Sequence, residues 1–350
     1  MVDETDAFIL QCLQIAPRAP FRLIGEVAGV SEQTAARRYR TLRRRGAIRV
    51  VGQLAPQAQG LSEWVTTAKC RPDAVEEVAR WLVAQPNVTY AHVAGGGAEL
   101  VFSTRFPLAR IAEHDMFKGL TRSNAVLDID VQLVTHRFGP GNHWTGFGAQ
   151  LTPERRERMS AAAPPAFTKS VAPSNQAVPS NQELPSNSVA SGSPAKVLAT
   201  DTPLLDALRE DGRATYQQLA DITQWTPGKV QRRMDALEAS GLLCFDVELL
   251  PEAMGYFISS VLWLRTEPGT LSEVGAALVA YPEVASVLSV SGEYHLMAVV
   301  ICRDGDHLYQ FLAATLPELS GVTGYSVSVR LRRLKLGNAR IASGRLVIGP

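Results

Sequence analysis

The chain has 350 residues, of which 46% are hydrophobic and 20% charged, which is typical of a soluble globular protein with two or three domains. Its four cysteines lie far apart with no Cys-x-x-Cys pair, which excludes a disulfide framework or a structural zinc site and fits a reducing cytosol. The formal net charge of +1, taken alone, argues against a nucleic-acid binder. Whether the chain binds nucleic acid therefore has to be judged from where the charges lie.

Three short helical patterns open the chain. The first begins near Asp6, which is a candidate N-cap. After a second helix, Gly29 allows a tight turn and Ser31 caps a third helix over residues 32–44, which Gly46 closes. A helix, a tight glycine-containing turn and a capped basic helix form the helix-turn-helix pattern, so the third helix is the candidate recognition helix.

The third helix concentrates positive charge. Between residues 31 and 49, seven arginines and one glutamate give a local charge of +6, which the chain-wide total hides. Glutamine and arginine can hydrogen-bond adenine and guanine edges, and further arginines can contact phosphates. The alternative is a solvated basic helix face that binds nothing. The predicted base contacts are Gln33, Thr34 and Arg37, and the remaining predicted DNA-binding residues are Ser31, Arg38, Arg40, Arg43, Arg44 and the adjoining Arg45.

After a predicted strand at Ile48–Leu54, the sequence pattern changes from consecutive helices to a mixture of strands and helices. The following segments predict strand, helix, strand, strand, helix and strand, which is the split-βαβ, ferredoxin-like arrangement. These segments are residues 61–70, 73–85, 88–93, 99–103, 108–120 and 127–134. Residues 136–150 have no later counterpart, and we expect Trp144 and Phe147 to pack rather than to line a pocket.

Residues 151–199 are predicted to be a flexible linker. They are rich in Ala, Pro, Ser and Asn, and Pro-Ser-Asn recurs every six residues from Pro173. Such a composition buries too little apolar surface to offset the entropy of ordering. At the start of this segment, Thr152 and Pro153 predict one short helix packed on the preceding domain.

The segment after the linker repeats the one before it. Residues 6–46 align without gaps to residues 201–241, and further on, after one residue has been gained, Gly96 meets Gly292. We therefore interpret the chain as two copies of one α+β unit, each a winged-type helix-turn-helix followed by a ferredoxin-like βαββαβ domain. The predicted domains are 1–53, 54–150, the linker 151–199, 200–246 and 247–340.

The second recognition helix carries less charge than the first. Between residues 226 and 244, three basic and two acidic residues give +1, because Asp235, Glu238 and Ala239 replace Arg40, Arg43 and Arg44. Whether this helix contacts DNA is left open. Its predicted DNA-binding residues are Thr226, Lys229, Gln231, Arg232 and Arg233.

Both units resemble the Lrp/AsnC (feast/famine) transcription regulators, with the sheet domain of RAM/ACT-like type. The resemblance covers nearly everything except the linker and residues near 136–160. It is carried by Asp6, Ile9, Leu10, Leu13, Ser31, Thr34, Arg37, Arg38, Leu42, Gly46 and Ile48, and by Pro282, Val284, Gly292 and Tyr294 in the second unit. It implies a sequence-specific DNA-binding regulator whose sheet domain dimerises and binds an amino acid or a related small molecule.

The resemblance places the effector at one turn of each sheet domain. The family's turn reads Gly-x-Tyr-Asp; here the candidates are Gly96 with Glu99, and Gly292 with Tyr294 and His295. An acidic side chain suits an α-ammonium group, so Glu99 fits and His295 departs from the pattern. A plain strand-joining turn is the alternative. We expect no cofactor and no metal, since the remaining histidines show no ligand spacing.

Two alternative hypotheses for the function remain besides a transcription regulator. Sirohaem decarboxylases also resemble tandem units of this kind, but their pattern of His and Arg around an Asn-Leu-Trp-Phe strand is replaced here by Glu99-Leu-Val-Phe-Ser103. A sensing or assembly module without DNA binding would not need the basic helix. We expect no enzymatic activity, operator DNA as the partner, and either an intramolecular pseudo-dimer or a homo-oligomer. Without an apolar leader or membrane-length segment, the expected location is cytoplasmic and nucleoid-associated, with no membrane partner.

Overall fold

In a computed structural model, the structure describes residues 2–55, 59–110, 115–139, 144–148, 150–163, 196–337 and 339–347. Most of the predicted linker, and with it the Pro-Ser-Asn repeats, lies outside these residues, as do His114 and His143. The two predicted units are both present, and the α+β fold class is confirmed.

The first unit begins with three helices and ends in a four-stranded sheet. Asp3 caps the first helix in a reciprocal capping box with Asp6, so the helix starts earlier than the predicted cap at Asp6. The elements are α1 (Glu4–Ile15), α2 (Phe21–Ala28), α3 (Glu32–Arg44), β1 (Ile48–Leu54), β2 (Ser62–Cys70), α4 (Val75–Ala84), β3 (Val88–Ala94), β4 (Glu99–Phe106), α5 (Asp115–Arg122) and β5 (Val126–Phe138).

The second unit repeats this order and adds a tail. Its elements are α7 (Thr202–Glu210), α8 (Tyr216–Thr223), α9 (Pro227–Ala239), β6 (Leu243–Leu249), β7 (Ile258–Thr266), α10 (Leu271–Val279), β8 (Val284–Val290), β9 (Leu296–Cys302), α11 (Gly305–Gln310), β10 (Val322–Val329), β11 (Arg332–Leu336), β12 (Ala339–Ala342) and β13 (Arg345–Val347). The last three strands were not predicted.

A helix between the units shortens the predicted linker. The helix α6 (Pro153–Ser160) is capped by Thr152, as predicted, and its Met159 is fully buried against the first helix-turn-helix. Linker composition therefore begins after this helix rather than at residue 151. Trp144 and Phe147 are also buried in that core, where Gln14 and Gln11 donate to their carbonyl oxygens. Both side chains pack as predicted, but the expectation that they line no pocket is wrong for Trp144, which also borders a cavity lined by both units.

The two units pair within one chain. The strand β1 runs antiparallel to β6 in a two-stranded sheet of its own. The two four-stranded sheets join through β5 and β8, and the tail strand β11 pairs with β3 of the first unit. Since β10 leads directly into β11, the joined sheet bends round on itself, and its inner face buries Val65 and Val101 against Val261 and Leu288.

Candidate nucleic-acid interface

The first helix-turn-helix depends on a close backbone approach. At the end of α2, Gly29 adopts a left-handed φ of 76°. A Cβ on Gly25 would lie 2.7 Å from the carbonyl oxygen of Val30, so only glycine fits between α2 and the turn. The hydroxyl of Ser31 then accepts a hydrogen bond from the N–H of Thr34 and caps α3. These contacts fix the direction in which α3 leaves the turn.

One exposed stripe runs along α3. Gln33, Arg37, Arg40 and Arg44 are exposed, and their spacing of four, three and four residues places them on one helix face. We call this set the α3 stripe. Its three arginines form no ion pair with any residue that the structure describes. The opposite face, made of Ala35, Tyr39 and Leu42, is buried as predicted.

Arg38 is directed towards its own domain rather than outward. Its Nη1 lies 2.6 Å from Oδ2 of Asp3 and 3.0 Å from Oδ1 of Asp6. A hydrogen bond from the N–H of Asp6, together with Arg38, holds the pKa of the Asp3 carboxyl below its usual value. The predicted phosphate contact of Arg38 is therefore corrected: its guanidinium ties α3 to α1.

The second unit repeats this contact. Arg233 Nε lies 2.8 Å from Oδ1 of Asp201, whose side chain is fully buried. Burial raises the pKa of the Asp201 carboxyl, but the hydrogen bonds from Arg233 and the N–H of Leu198 outweigh burial and lower it. Arg233 is thus removed from the DNA-binding set for the same reason as Arg38.

Arg43 also has a partner within the chain. Its Nη1 lies 2.8 Å from Oδ2 of Asp211, which belongs to the second helix-turn-helix. The prediction that Arg43 contacts a DNA phosphate is likewise corrected, because its guanidinium forms an ion pair across the interface between the two units.

The stripe of α9 differs from that of α3. Thr226 caps the helix through the N–H of Lys229, and Pro227 occupies its first position. The four positions that match the α3 stripe hold Gly228, Arg232, Asp235 and Ala239, so one cation and one anion replace three cations and a glutamine. Gln231 is exposed beside them, and Lys229 is exposed with its Nζ 4.2 Å from the centre of the Trp225 ring. The exposed face of α3 is therefore more positively charged than the matching exposed face of α9, as the sequence predicts.

Two equivalent arginines join the helix-turn-helix domains. Arg18 donates to the carbonyl oxygens of Gly212 and Ala214. Arg213, at the matching position, donates to the carbonyl oxygens of Pro17 and Ala19. Each guanidinium also lies over aromatic rings of the opposite domain: Tyr216 and Phe245 for Arg18, and Phe21 and Tyr39 for Arg213. We call Arg18 and Arg213 the arginine latch.

The arginine latch fixes the spacing of the two recognition helices. Burial lowers the pKa of Arg213 to about 10, so the side chain stays charged at neutral pH. Arg18 and Arg213 occupy equivalent positions in the two units, and no role was predicted for them. The same arginine, followed by the same alanine, in both copies is the sequence signal that points to them.

The predicted effector turn of the first unit is open. Gly96 has a φ of 68°, and nothing lies within 4 Å of where its Cβ would be. Glu99 begins β4 and accepts a 3.4 Å hydrogen bond from the hydroxyl of Ser328 in the other unit. The turn and the carboxylate thus lie next to each other at an edge where the two units meet.

The matching turn of the second unit is engaged in the fold. A Cβ on Gly292 would lie 3.2 Å from Cδ of Gln132 in the first unit, and Tyr294 lies against Trp263 and Arg265. His295 Nδ1 accepts a 3.1 Å hydrogen bond from the N–H of Thr266. These contacts give His295 a role in joining β7 to β9, and none of them points towards a ligand.

Among the residues that the structure describes, no group of three or more His, Cys, Asp or Glu side chains is arranged to hold a metal ion. Nor does that part of the chain contain a helix with the length and apolar character needed to cross a membrane.

The fold and its exposed basic helix define a duplicated helix-turn-helix protein with ferredoxin-like sheet domains. The model of the AsnC-type helix-turn-helix domain matches residues 2–43 and 199–238, and that of the Lrp/AsnC ligand binding domain matches residues 259–339. The chain therefore contains two AsnC-type helix-turn-helix domains and an Lrp/AsnC ligand binding domain.

Similar proteins fall into two groups. The HTH-type transcriptional regulator LrpA of Pyrococcus abyssi is 29% identical over 39% of this chain and 96% of its own length. The HTH-type transcriptional regulator FL11 of Pyrococcus furiosus is 27% identical over 38% of this chain and 87% of its own. The solved structure of the sirohaem decarboxylase NirDL has a TM-score of 0.59 at 14% identity, covering 96% of this chain and 93% of that one. At that identity the likeness shows a shared tandem fold.

Proposed function

We propose that this chain is a sequence-specific DNA-binding transcriptional regulator in which two unequal recognition helices contact DNA from one chain. The observation that carries the proposal is the α3 stripe. Three exposed arginines, which form no ion pair with a described residue, and a glutamine follow one face of a helix that a helix-turn-helix presents outward. Such a face fits the major groove and the phosphates beside it.

The proposed contacts are divided by position on α3. Gln33, Thr34 and Arg37 lie in its first half and contact base edges, whereas Arg40 and Arg44 contact phosphates. Ser31 caps the helix and adds at most a backbone contact. In the second unit, Lys229, Gln231 and Arg232 supply weaker contacts, because Asp235 repels phosphate on the same face.

A small molecule modulates DNA binding in this proposal. The open turn at Gly96 and the carboxylate of Glu99 suit the α-ammonium group of an amino acid. Since His295 is engaged with Thr266, the first unit is the better candidate for this site. The protein acts where its operators are, on the nucleoid in the cytoplasm.

Genome-wide mapping of bound DNA tests the proposal. The wild-type chain is expected to enrich discrete sites, and a variant with Arg37→Ala and Arg44→Ala is expected to lose them. Arg80→Ala is the matched control, because Arg80 is also exposed on a helix and donates to the carbonyl four residues earlier, as Arg40 does. Equal enrichment by the wild-type chain and the double variant would refute the recognition-helix assignment.

A second candidate function is catalytic. The likeness to the sirohaem decarboxylase NirDL extends over nearly the whole length of both chains. An enzyme of that kind would bind an iron tetrapyrrole such as an iron-uroporphyrin III analogue, with which NirDL has been solved in complex. Titration of the purified chain with that analogue distinguishes the two functions: a shifted Soret band on binding favours the enzyme, whereas an unchanged spectrum favours the regulator.

A further inference from the structure

A cavity lies between the two-stranded β1–β6 sheet and the joined sheet of the two units. It has a volume of about 370 Å³, at the lower end of the range for small-molecule sites. Both units line it, with Tyr90 and Arg105 from the first and Val299 and Arg330 from the second among the lining residues. It is separate from the α3 stripe and from the turns at Gly96 and Gly292.

Buried donors without acceptors line this cavity. Arg330 is 8% exposed, and its Nε and Nη2 have no hydrogen-bond partner among the described residues. The same holds for Nε of Arg105, the hydroxyl of Tyr90 and Nε1 of Trp144. Each of these groups can donate a hydrogen bond, and the two guanidiniums cannot accept one.

Three carboxylates, Glu63, Asp246 and Glu248, also line the cavity, but none of them is within ion-pair distance of Arg105 or Arg330. Glu63 and Asp246 act on Arg105, and Glu252 on Arg330, only as nearby charges that partly offset the lowering of the pKa that burial causes in each guanidinium. Glu63 lies 2.8 Å from Arg137, and Glu248 lies 3.2 Å from Arg49. Neither Arg105 nor Arg330 forms an ion pair with a described residue. Although burial lowers the pKa of Arg330 to about 10, the guanidinium remains charged at neutral pH.

A buried guanidinium whose N–H groups lack acceptors is unfavourable, even where, as for Arg330, it lies over an aromatic ring, that of Tyr90. Because the lining presents donors without acceptors and guanidiniums without a carboxylate at ion-pair distance, a bound anion would satisfy both at once. The fully buried His92, next to Tyr90, does not add to the charge, since burial and the nearby arginines hold its pKa well below the usual value.

We infer that this cavity is a binding site for a small organic acid, with Arg330 and Arg105 binding the carboxylate. The apolar part of the lining selects an organic acid over inorganic phosphate. Leu288, Met297, Val299 and Ile301 of the second unit face the cavity and would contact a hydrocarbon body. The inference does not depend on DNA binding, so the two proposals can fail separately.

Thermal unfolding and calorimetry with defined probes test the site on the full chain. The probes are hexanoate, adipate and 3-phenylpropionate, with 3-phenylpropionamide as the neutral match and inorganic phosphate as the anion without an apolar body. At least one acid is expected to raise the Tm of the wild-type chain and to bind at least tenfold more tightly than the amide and phosphate. Arg330→Met is expected to weaken that acid at least tenfold. Arg332→Met is the control, because Arg332 is the exposed neighbour and pairs with Glu76 outside the cavity.

Stability of the ligand-free variants gives a second measurement. Removing an uncompensated buried charge is expected to leave the Tm of Arg330→Met unchanged or higher. If that variant does not fold, Arg105→Met provides the same comparison of acid binding. The inference is overturned if no acid stabilises the wild-type chain, if phosphate binds as tightly as the acids, or if the cavity variant that folds binds them like the wild type.

Discussion

Neighbouring arginines on one helix have different roles because a helix turns by about 100° per residue. Arg37 is exposed on the α3 stripe, whereas Arg38 lies between the carboxylates of Asp3 and Asp6. The first is available for DNA, and the second stabilises the domain that presents it. Equivalent positions in the second unit show the same division between Arg232 and Arg233.

Substituting the two arginines should separate DNA affinity from stability. Arg37→Ala is expected to reduce discrimination between operator and random DNA by about tenfold, with an unchanged Tm. Arg38→Ala should lower the free energy of unfolding by about 1–2 kcal/mol, because two hydrogen-bonded carboxylates lose their cation. Fluorescence anisotropy and thermal unfolding measure the two effects. Similar losses of stability in both variants would contradict this division.

Glu238 replaces, in the second unit, the arginine found at position 43. Burial raises the pKa of its carboxyl to about 7, although Arg18 acts in the opposite direction and Asp235 adds to the increase. A carboxyl with a raised pKa binds its proton more tightly in the folded state. Its contribution to stability is therefore present at low pH and is lost as the pH rises from about 4.5 towards 7.

Glu238→Gln should remove this pH dependence. After allowance for partial exposure, the variant is expected to be more stable than the wild type at pH 8 by about 1–2 kcal/mol, and the difference should shrink towards pH 5. Urea unfolding at several pH values measures it, with the exposed Glu210→Gln as the control. A difference that grows towards low pH would show that the sign is wrong.

At the scale of elements, the helix-turn-helix domains are joined by equivalent contacts from each side. The strands β1 and β6 pair over seven residues, and the arginine latch connects the loops that follow α1 and α7. Because each guanidinium satisfies two carbonyl oxygens of the other domain, the relative position of α3 and α9 depends on both arginines.

Breaking the arginine latch should loosen this arrangement. Arg213→Ala leaves the carbonyl oxygens of Pro17 and Ala19 without their donor and is expected to cost about 2–4 kcal/mol of unfolding free energy. It should also weaken operator binding, since the recognition helices lose their fixed spacing. Arg209→Ala, which removes a half-exposed pair with Asp206, is the control and should change stability by less than about 0.5 kcal/mol. Hydrogen exchange in β1 reports the loosening, and unchanged protection there would contradict it.

At the scale of the molecule, one chain forms the paired arrangement. The contacts β1 with β6, β5 with β8 and β11 with β3 all join different units. The linker only has to permit this pairing, and it raises the effective concentration of one unit near the other. Two recognition helices of different charge are thereby held as a fixed pair.

This arrangement predicts an asymmetric operator. Footprinting should show one strongly protected half-site contacted by α3 and one weaker half-site contacted by α9. Arg232→Ala should reduce protection of the weaker half-site only, and Arg37→Ala should reduce the stronger one. A palindromic footprint in which either variant reduces both halves equally would indicate pairing of like units from two chains.

Much of the fold could be predicted from local patterns in the sequence. The capping residue Ser31, the buried positions Ala35, Tyr39 and Leu42, and the order of strands and helices were predicted because they depend on spacing of three, four or two residues. The first cap was misplaced because Asp3 and Asp6 form a reciprocal box, in which either residue fits the cap pattern. The strand β11 was not predicted because it pairs with β3, far away in sequence. The strands β12 and β13, of four and three residues, pair with their sequence neighbours but are too short to show a clear alternation.

The sequence by itself determined that the chain is two copies of a family unit and that the first recognition helix is the more basic, because both depend on residue identity and order. Only the tertiary structure decided which arginines remain available. Arg38 and Arg43 have carboxylate partners, Arg18 and Arg213 join the domains, and Arg330 lies buried with no ion pair to a residue that the structure describes. The physical reason is that the effect of a charge depends on what lies within a few ångströms of it, and for these residues that neighbour comes from a distant part of the chain.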